Sequence, residues 1–264
     1  MTDTDFAQLV ARVLGSSTPR VWSLLVTMFG DLALTPQARL SGATVNAITA
    51  AIGIKPEATR VALHRLRKED WIVSHRTGRQ TRYGLTSHGR TQTTAAAPRV
   101  YGPAATGTSA YLVLENPSLP TDWPADQDAV TTVQIGPKVV ATTSSTKSDQ
   151  HLKLALNPDM DLPQWVSDKL CPPEIQSASR DLSQRFLQIL EGASLEDLPL
   201  LQRTAIRVVI VHEWRRLILR TPAFPETLLK DQWRGEECRV AFHTLLTRLP
   251  VPDLAALEDA IEAG

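Results

Sequence analysis

The 264-residue chain is 42% hydrophobic and carries 28 basic against 28 acidic residues, which excludes global disorder and predicts a globular protein of two or three small domains. No apolar run approaches the ~18 residues of a membrane helix, Asp3 and Asp5 stand where a signal peptide carries bases, and two cysteines are too few for a disulfide framework. A cytoplasmic protein is expected, and eighteen prolines against thirteen glycines predict many short elements rather than long rods.

Ser17-Thr18-Pro19 places a hydroxyl cap and a proline at a helix start, and Val21, Trp22, Leu24, Leu25, Met28 and Phe29 follow at helical spacing. Gly30 predicts the end of that helix. A second helix is expected over Thr44 to Ala51, with Val45, Ile48 and Ile52 on one side, and Gly53 sits where a tight turn needs a positive φ. Pro56 opens a third helix through about Lys68, offering Ala58, Ala62, Leu63 and Leu66 for packing. Helix, glycine turn, helix is the helix-turn-helix arrangement.

Trp71-Ile72-Val73 reads as a short strand and Gly78 as a turn. Thr81, Tyr83 and Leu85 then alternate with Arg82 and Gly84, the period-two signature of a half-buried strand with the Tyr83 ring packed beneath. These elements predict a winged helix-turn-helix domain over residues 1–95. The small polar stretch TQTTAAAP predicts a joint near Thr91–Pro103.

Residues 96–160 are β-rich, with strands expected at Tyr111–Leu114, Val130–Ile135 and Val139–Thr143, interrupted by Pro117, Pro120, Pro124 and Pro137. Over 161–264 the pattern is helical from Pro163 onward. Leu182, Phe186, Ile189 and Leu190 make one stripe, and Ala205, Val208, Val209, His212, Leu217 and Leu219 another. A last helix is predicted from about Gly235 to Arg248. The fold class is α+β, mainly helical.

Net neutrality conceals an asymmetry. The first hundred residues hold thirteen bases against six acids, a charge of +7, and the remainder holds fifteen against twenty-two, a charge of −7. A basic module joined to an acidic body is a footprint of polyanion binding, although a basic solvated face without a partner has the same composition.

Within the third helix, Arg60, His64 and Arg67 are spaced four and three apart and share one face. A helix fits the B-DNA major groove, where arginine grips guanine O6 and N7 with two donors. Lys55 and Lys68 at either end are placed to meet phosphates, which position the protein without reading sequence. In the hairpin, Arg76 and Arg79 flank Gly78 and suit the narrow, negative minor groove or its bordering phosphates. Arg82 alternates to the opposite face and is a further candidate for phosphate contact.

The segments TPRVWSLLVTMFGD, ATRVALHRLRKEDWI and RTGRQTRYGLTSHG, together with VHEWRRLILRTPAFPETLLKDQWRGEECRVAFHTLL near the C-terminus, make the chain similar to the PaaX family of bacterial transcriptional repressors of phenylacetate-type catabolism. The resemblance covers about half the chain in the family's order. It implies an N-terminal DNA-binding domain, a small ferredoxin-like α/β middle domain and a C-terminal helical domain. It further implies a homodimer bound to double-stranded operator DNA and released by an aryl-acetyl-CoA effector, phenylacetyl-CoA or similar.

For that effector the candidates are Trp214, Arg215, Arg216 and Arg220, because cations beside an aromatic ring suit the phosphates and adenine of a CoA ester. The same arginines could instead pair with Glu213, Glu226, Glu236 and Glu237 and stiffen the domain. An enzyme is not expected. His212-Glu213 begins like a zinc-protease helix, but Arg216 stands where the second histidine belongs, and GxSxG, phosphate-loop and GxGxxG motifs are missing. No cofactor is expected. The alternative function is an architectural or interaction protein that uses its winged helix without a small-molecule ligand.

Overall fold

The computed structural model describes residues 3–16, 18–78, 80–104, 109–116, 118, 131–144, 151–157, 160–229 and 233–263. They form a mixed α/β, mainly helical protein with two small antiparallel sheets.

Helix α1 (Asp3–Leu14), absent from the sequence-based expectation, buries Phe6, Leu9, Val10 and Val13 along one face. Helix α2 (Val21–Leu32) begins with Arg20 at its N-cap and makes no side-chain cap. Ser17 lies outside the described residues, and Thr18-Pro19 precedes the helix by an extended step rather than opening it. Gly30 does not end α2. It is buried within it, because a β-carbon there would stand 2.8 Å from Thr93 Cγ2, so the glycine permits close approach of another helix.

Strand β1 (Leu40–Ser41) leads into α3 (Gly42–Ala51), whose first turn is capped by Ser41 accepting from Thr44 N at 3.0 Å. Gly53 (φ +87) turns the chain into α4 (Pro56–Lys68), which starts and stops where the proline and the cation run predict. Strands β2 (Ile72–Thr77) and β3 (Gln80–Leu85) pair from Ile72–Leu85 out to Thr77–Gln80, and β1 joins the other side of β3.

The predicted joint is instead helix α5 (Ser87–Tyr101), capped by Thr86 accepting from Gly89 N at 3.0 Å. Its small threonines and alanines lack a bulky apolar stripe, so composition reads as a linker. Tertiary contacts make it a helix: Thr93 sits on Gly30, and Val100 is buried with its carbonyl accepting from Trp214 Nε1 at 2.8 Å.

The middle sheet comprises β4 (Ala110–Glu115), β5 (Thr132–Gly136), β6 (Val139–Thr142) and β7 (His151–Leu156) in the order β5-β6-β4-β7. The first three match expectation. β7 was not anticipated, its polar His151 and Lys153 breaking the apolar signal. Pro137 occupies the turn between β5 and β6, while Pro117, Pro120 and Pro124 lie outside the described residues.

Helices α6 (Gln164–Leu170), α7 (Pro173–Gly192), α8 (Leu200–Ile218), α9 (Gly235–Arg248) and α10 (Leu254–Glu262) complete the chain. Helix α9 is not the last, and its Val240 is 62% exposed rather than packed. The centre is α8. It is apolar on nearly every side, burying Ala205, Ile206, Val208, Val209, Ile210, Val211 and Trp214, and an all-round apolar helix must be surrounded. Helices α1, α2, α3, α5, α7, α9 and α10 supply that surround, so the N-terminal helices and the C-terminal helices share one core.

Candidate nucleic-acid interface

Helix α4 is amphipathic. Thr59, Ala62, Leu63 and Leu66 are buried, and Thr59 Oγ1 donates to Thr49 Oγ1 of α3 at 3.0 Å, fixing the two helices across the Gly53 turn. The opposite face leaves Lys55, Arg60, His64, Arg67 and Lys68 exposed. Among the described residues no ion pair holds Arg60, Arg67, Lys55 or Lys68, so their charges face solvent. Arg65 is different: its Nε meets Glu69 Oε1 at 2.7 Å and its guanidinium lies 5.5 Å from the Trp22 ring. The helix alternation did not single out Val61, which is 69% exposed between Arg60 and His64. An apolar β-branched side chain on a cationic groove-sized helix suits a thymine methyl.

The β2–β3 hairpin is tied to this helix by a backbone hydrogen bond and to α2 and α5 by aromatic packing. Trp71 N donates to Leu66 O at 2.9 Å, and the Trp71 ring meets Trp22 edge-on at 5.7 Å and His88 at 5.8 Å. Asp70, at φ 55, makes the turn out of α4 in a conformation that aspartate tolerates better than most residues. At the tip Gly78 has φ +62, and exposed Arg76 donates from Nε to Gly78 O at 3.3 Å. Arg79 lies outside the described residues. Tyr83 is half-buried against the core, as its alternation predicts.

Arg82 is not free. Its Nη1 and Nη2 form a two-pronged pair with Glu258 of α10, at 3.0 and 2.7 Å. The side chain placed by alternation for phosphate contact thus ties the hairpin to the C-terminal helix.

The four C-terminal candidates do not converge. Trp214 is wholly buried, packed on Phe242 at 5.6 Å with the Arg239 guanidinium 5.1 Å from its ring. Arg215 is half-buried beside Tyr101 and Asp31, and desolvation lowers its pKa. Arg216 pairs with Glu213 at 3.2 Å, and Arg220 is exposed beyond the helix end. Neighbouring positions on a helix point about 100° apart, which disperses them. Of the other acids offered as partners, Glu226 pairs with Arg239 at 3.0 Å and Glu237 accepts from Ser183 Oγ at 2.7 Å.

His212 is buried within α8, its Nδ1 3.2 Å from Thr27 Oγ1 of α2. Both cysteines are free and buried, and burial pushes the Cys171 thiol up to about 12. Among the described residues no three His, Cys, Asp or Glu side chains gather as a metal site, and no helix is long and apolar enough to cross a membrane.

Two family descriptions match the chain: PaaX-like protein over residues 20–89, which spans α2 through the hairpin, and PaaX-like protein C-terminal domain over residues 173–255, which spans α7 to the start of α10. The chain is also similar to the transcriptional repressor PaaX of Escherichia coli (strain K12), at 24% identity over 268 residues covering 92% of this chain and 84% of that protein. With both family regions present in order, and together more than half of its length matched, the chain belongs to the PaaX-like family.

Proposed function

We propose that this chain is a transcriptional repressor that binds duplex DNA through α4 and the β2–β3 hairpin, acting as a winged helix-turn-helix over residues 1–95. The single observation that carries the reading is the exposed Arg60–His64–Arg67 face, whose arginines have no acidic partner among the described residues, on a helix whose other side is anchored to α3. In this reading α4 enters a major groove, with Arg60 and Arg67 at base edges and Lys55 and Lys68 at phosphates. Arg76, at the hairpin tip, meets the adjacent minor groove or its backbone, and Arg79, three residues on in the sequence, is proposed for the same role.

Residues 96–160 form a ferredoxin-like middle domain in this proposal. The strand order β5-β6-β4-β7 supports it, since it is the order of four strands in which the second and third make a hairpin and the first and last are neighbours. Residues 161–264 form the effector and dimerisation domain. A homodimer would present two α4 helices about one turn of DNA apart, ~34–36 Å or a multiple of it. An aryl-acetyl-CoA effector, in the repression of an aromatic-acid catabolic operon, would release the dimer by favouring a spacing that no longer fits. Such a shift needs about 5 kcal/mol of differential affinity between the two states.

The test is a gel-shift series on DNA selected from a random pool. Affinity should fall steeply with salt as condensed counterions are released. Phenylacetyl-CoA should release the complex where free phenylacetate does not. Salt-independent or undetectable binding would remove the DNA reading, and no release by any acyl-CoA would remove the effector while leaving the DNA reading in place.

A further inference from the structure

Helix α4 carries one acid among its exposed residues, Glu57 in the first turn. Successive helix positions rotate by about 100°, so the buried Thr59, Ala62, Leu63 and Leu66 fix which way the others point. The positions that face away from them, to within about 30°, are Glu57, Val61, His64 and Lys68. Arg60 and Arg67 lie about 70–90° to one side of this row, and Arg65, which pairs with Glu69, about 70° to the other. Glu57 therefore stands on the crest of the cationic face, one turn before Val61, and not at its margin.

No local partner accounts for the carboxylate. Among the described residues no ion pair holds Glu57, although Lys55 and Arg60 are near in sequence. An acid in the first turn complements the helix dipole, but any first-turn position does so, whichever way it points. On the crest the same charge faces the DNA. Between two rows of phosphates an uncompensated carboxylate weakens binding to every sequence. That penalty is offset only where a base edge gives the carboxylate a hydrogen.

Resting on the reading that α4 enters a major groove, we propose that Glu57 is a specificity-determining residue that selects cytosine. The cytosine N4 amino group donates to a carboxylate oxygen, and the ionised acceptor strengthens the bond. Adenine sets its N6 donor beside N7, an acceptor that repels a carboxylate, while guanine and thymine present acceptors alone. The side chain thus discriminates by attraction to one base and by repulsion from the others. Its place in the first turn suits the role, because a recognition helix contacts base edges with its N-terminal residues.

Full-length protein, unaltered and as Glu57→Ala and Glu57→Gln, is used to select duplexes from a random pool, and gel shifts then measure each base-pair change in the selected site. The unaltered protein should require a C·G pair at one position, its replacement weakening binding about tenfold. Glu57→Ala should be indifferent there and keep its preferences elsewhere. Glu57→Gln should prefer adenine at that position, since an amide pairs with both N6 and N7. Replacing that cytosine by 2-pyrimidinone, which lacks the N4 amino group, should weaken the unaltered protein by the same factor and leave Glu57→Ala unaffected. The same base preference in all three proteins overturns the proposal, as does an equal effect of 2-pyrimidinone on the unaltered protein and Glu57→Ala. A Glu57→Ala variant that loses urea stability alone reduces the side chain to a helix-end charge and overturns it too. If the unaltered protein selects no duplex, the DNA reading itself falls, an outcome distinct from selection without a position that depends on Glu57.

Discussion

Asp31 of α2 and Arg207 of α8 form a two-pronged ion pair, with Nε and Nη2 each 2.7 Å from a carboxylate oxygen and both side chains almost wholly buried. Arg207 Nη1 also donates to Leu249 O at 2.6 Å, and the Tyr101 hydroxyl donates to Asp31 Oδ1 at 2.9 Å. One carboxylate therefore joins α2, α5 and α8, and burial beside this carboxylate raises the Tyr101 pKa. The helix pair α2–α3 that supports α4 is bound to the C-terminal half by a charge that cannot be left unpaired.

Removing one partner of that pair should be severe. Asp31→Ala is expected to destabilise the fold by about 3–5 kcal/mol, since it strands the Arg207 guanidinium in the core. Urea denaturation of the variant measures this. A loss under ~1 kcal/mol would mean that solvent reaches Arg207 and that the clamp is not buried in solution.

Arg60→Ala or Arg67→Ala should weaken DNA binding by roughly 1–3 kcal/mol and relax base preference at the contacted position. Lys55→Ala should weaken all sequences alike and reduce the salt slope by about one. Unchanged binding in both arginine variants would move the reading surface away from α4.

Val61 predicts a methyl contact. Replacing each thymine of a selected site by uracil in turn should cost about 0.8 kcal/mol at one position, the worth of one buried methyl group, and nothing elsewhere. In Val61→Ala that sensitivity should diminish. A profile of uracil substitution that is flat for the unaltered protein excludes the contact.

Glu258→Ala releases Arg82. The freed guanidinium lies midway along the hairpin, opposite His75, so the variant should bind DNA more tightly at low salt, with a salt slope steeper by about 0.9. Its stability should fall by no more than about 1 kcal/mol, because the pair is partly exposed. An unaltered slope would place Arg82 away from the backbone.

His212 makes stability depend on pH. Burial first, then the nearby Arg216 and Arg215, lower its pKa from 6.5 to about 4. As pH falls, the unfolded chain takes up this proton before the folded one, so the stabilisation is full above about 6.5 and is lost on the way down to about 4. The loss is on the order of 3 kcal/mol. Measuring urea midpoints from pH 7.5 to 4.5, His212→Leu should show a shallower decline than the unaltered protein. Parallel curves would mean that His212 does not titrate in this window.

The third helix, its proline start and the Gly53 turn were legible because each depends on local chemistry: a locked φ, a positive φ, and an apolar stripe that needs no knowledge of its partner. The same holds for the hairpin around Gly78 and for the bounds of α9. The exposed cations of α4 follow directly from its buried stripe, so the face carrying Arg60, His64 and Arg67 was legible as well. Helices α1 and α10 were not foreseen, although each carries an apolar face, and the polar edge strand β7 escaped detection.

What the amino-acid order determined alone was the set of elements with strong local signals and the cationic face they present. Only the tertiary structure decided that TQTTAAAP is helix, that Gly30 is a contact point, that Arg82 is committed to Glu258 and that Trp214 lies in the core. The physical reason is that these outcomes depend on partners 60 to 180 residues away, and neither a helical period nor a charge count carries information about which distant surface will cover a residue.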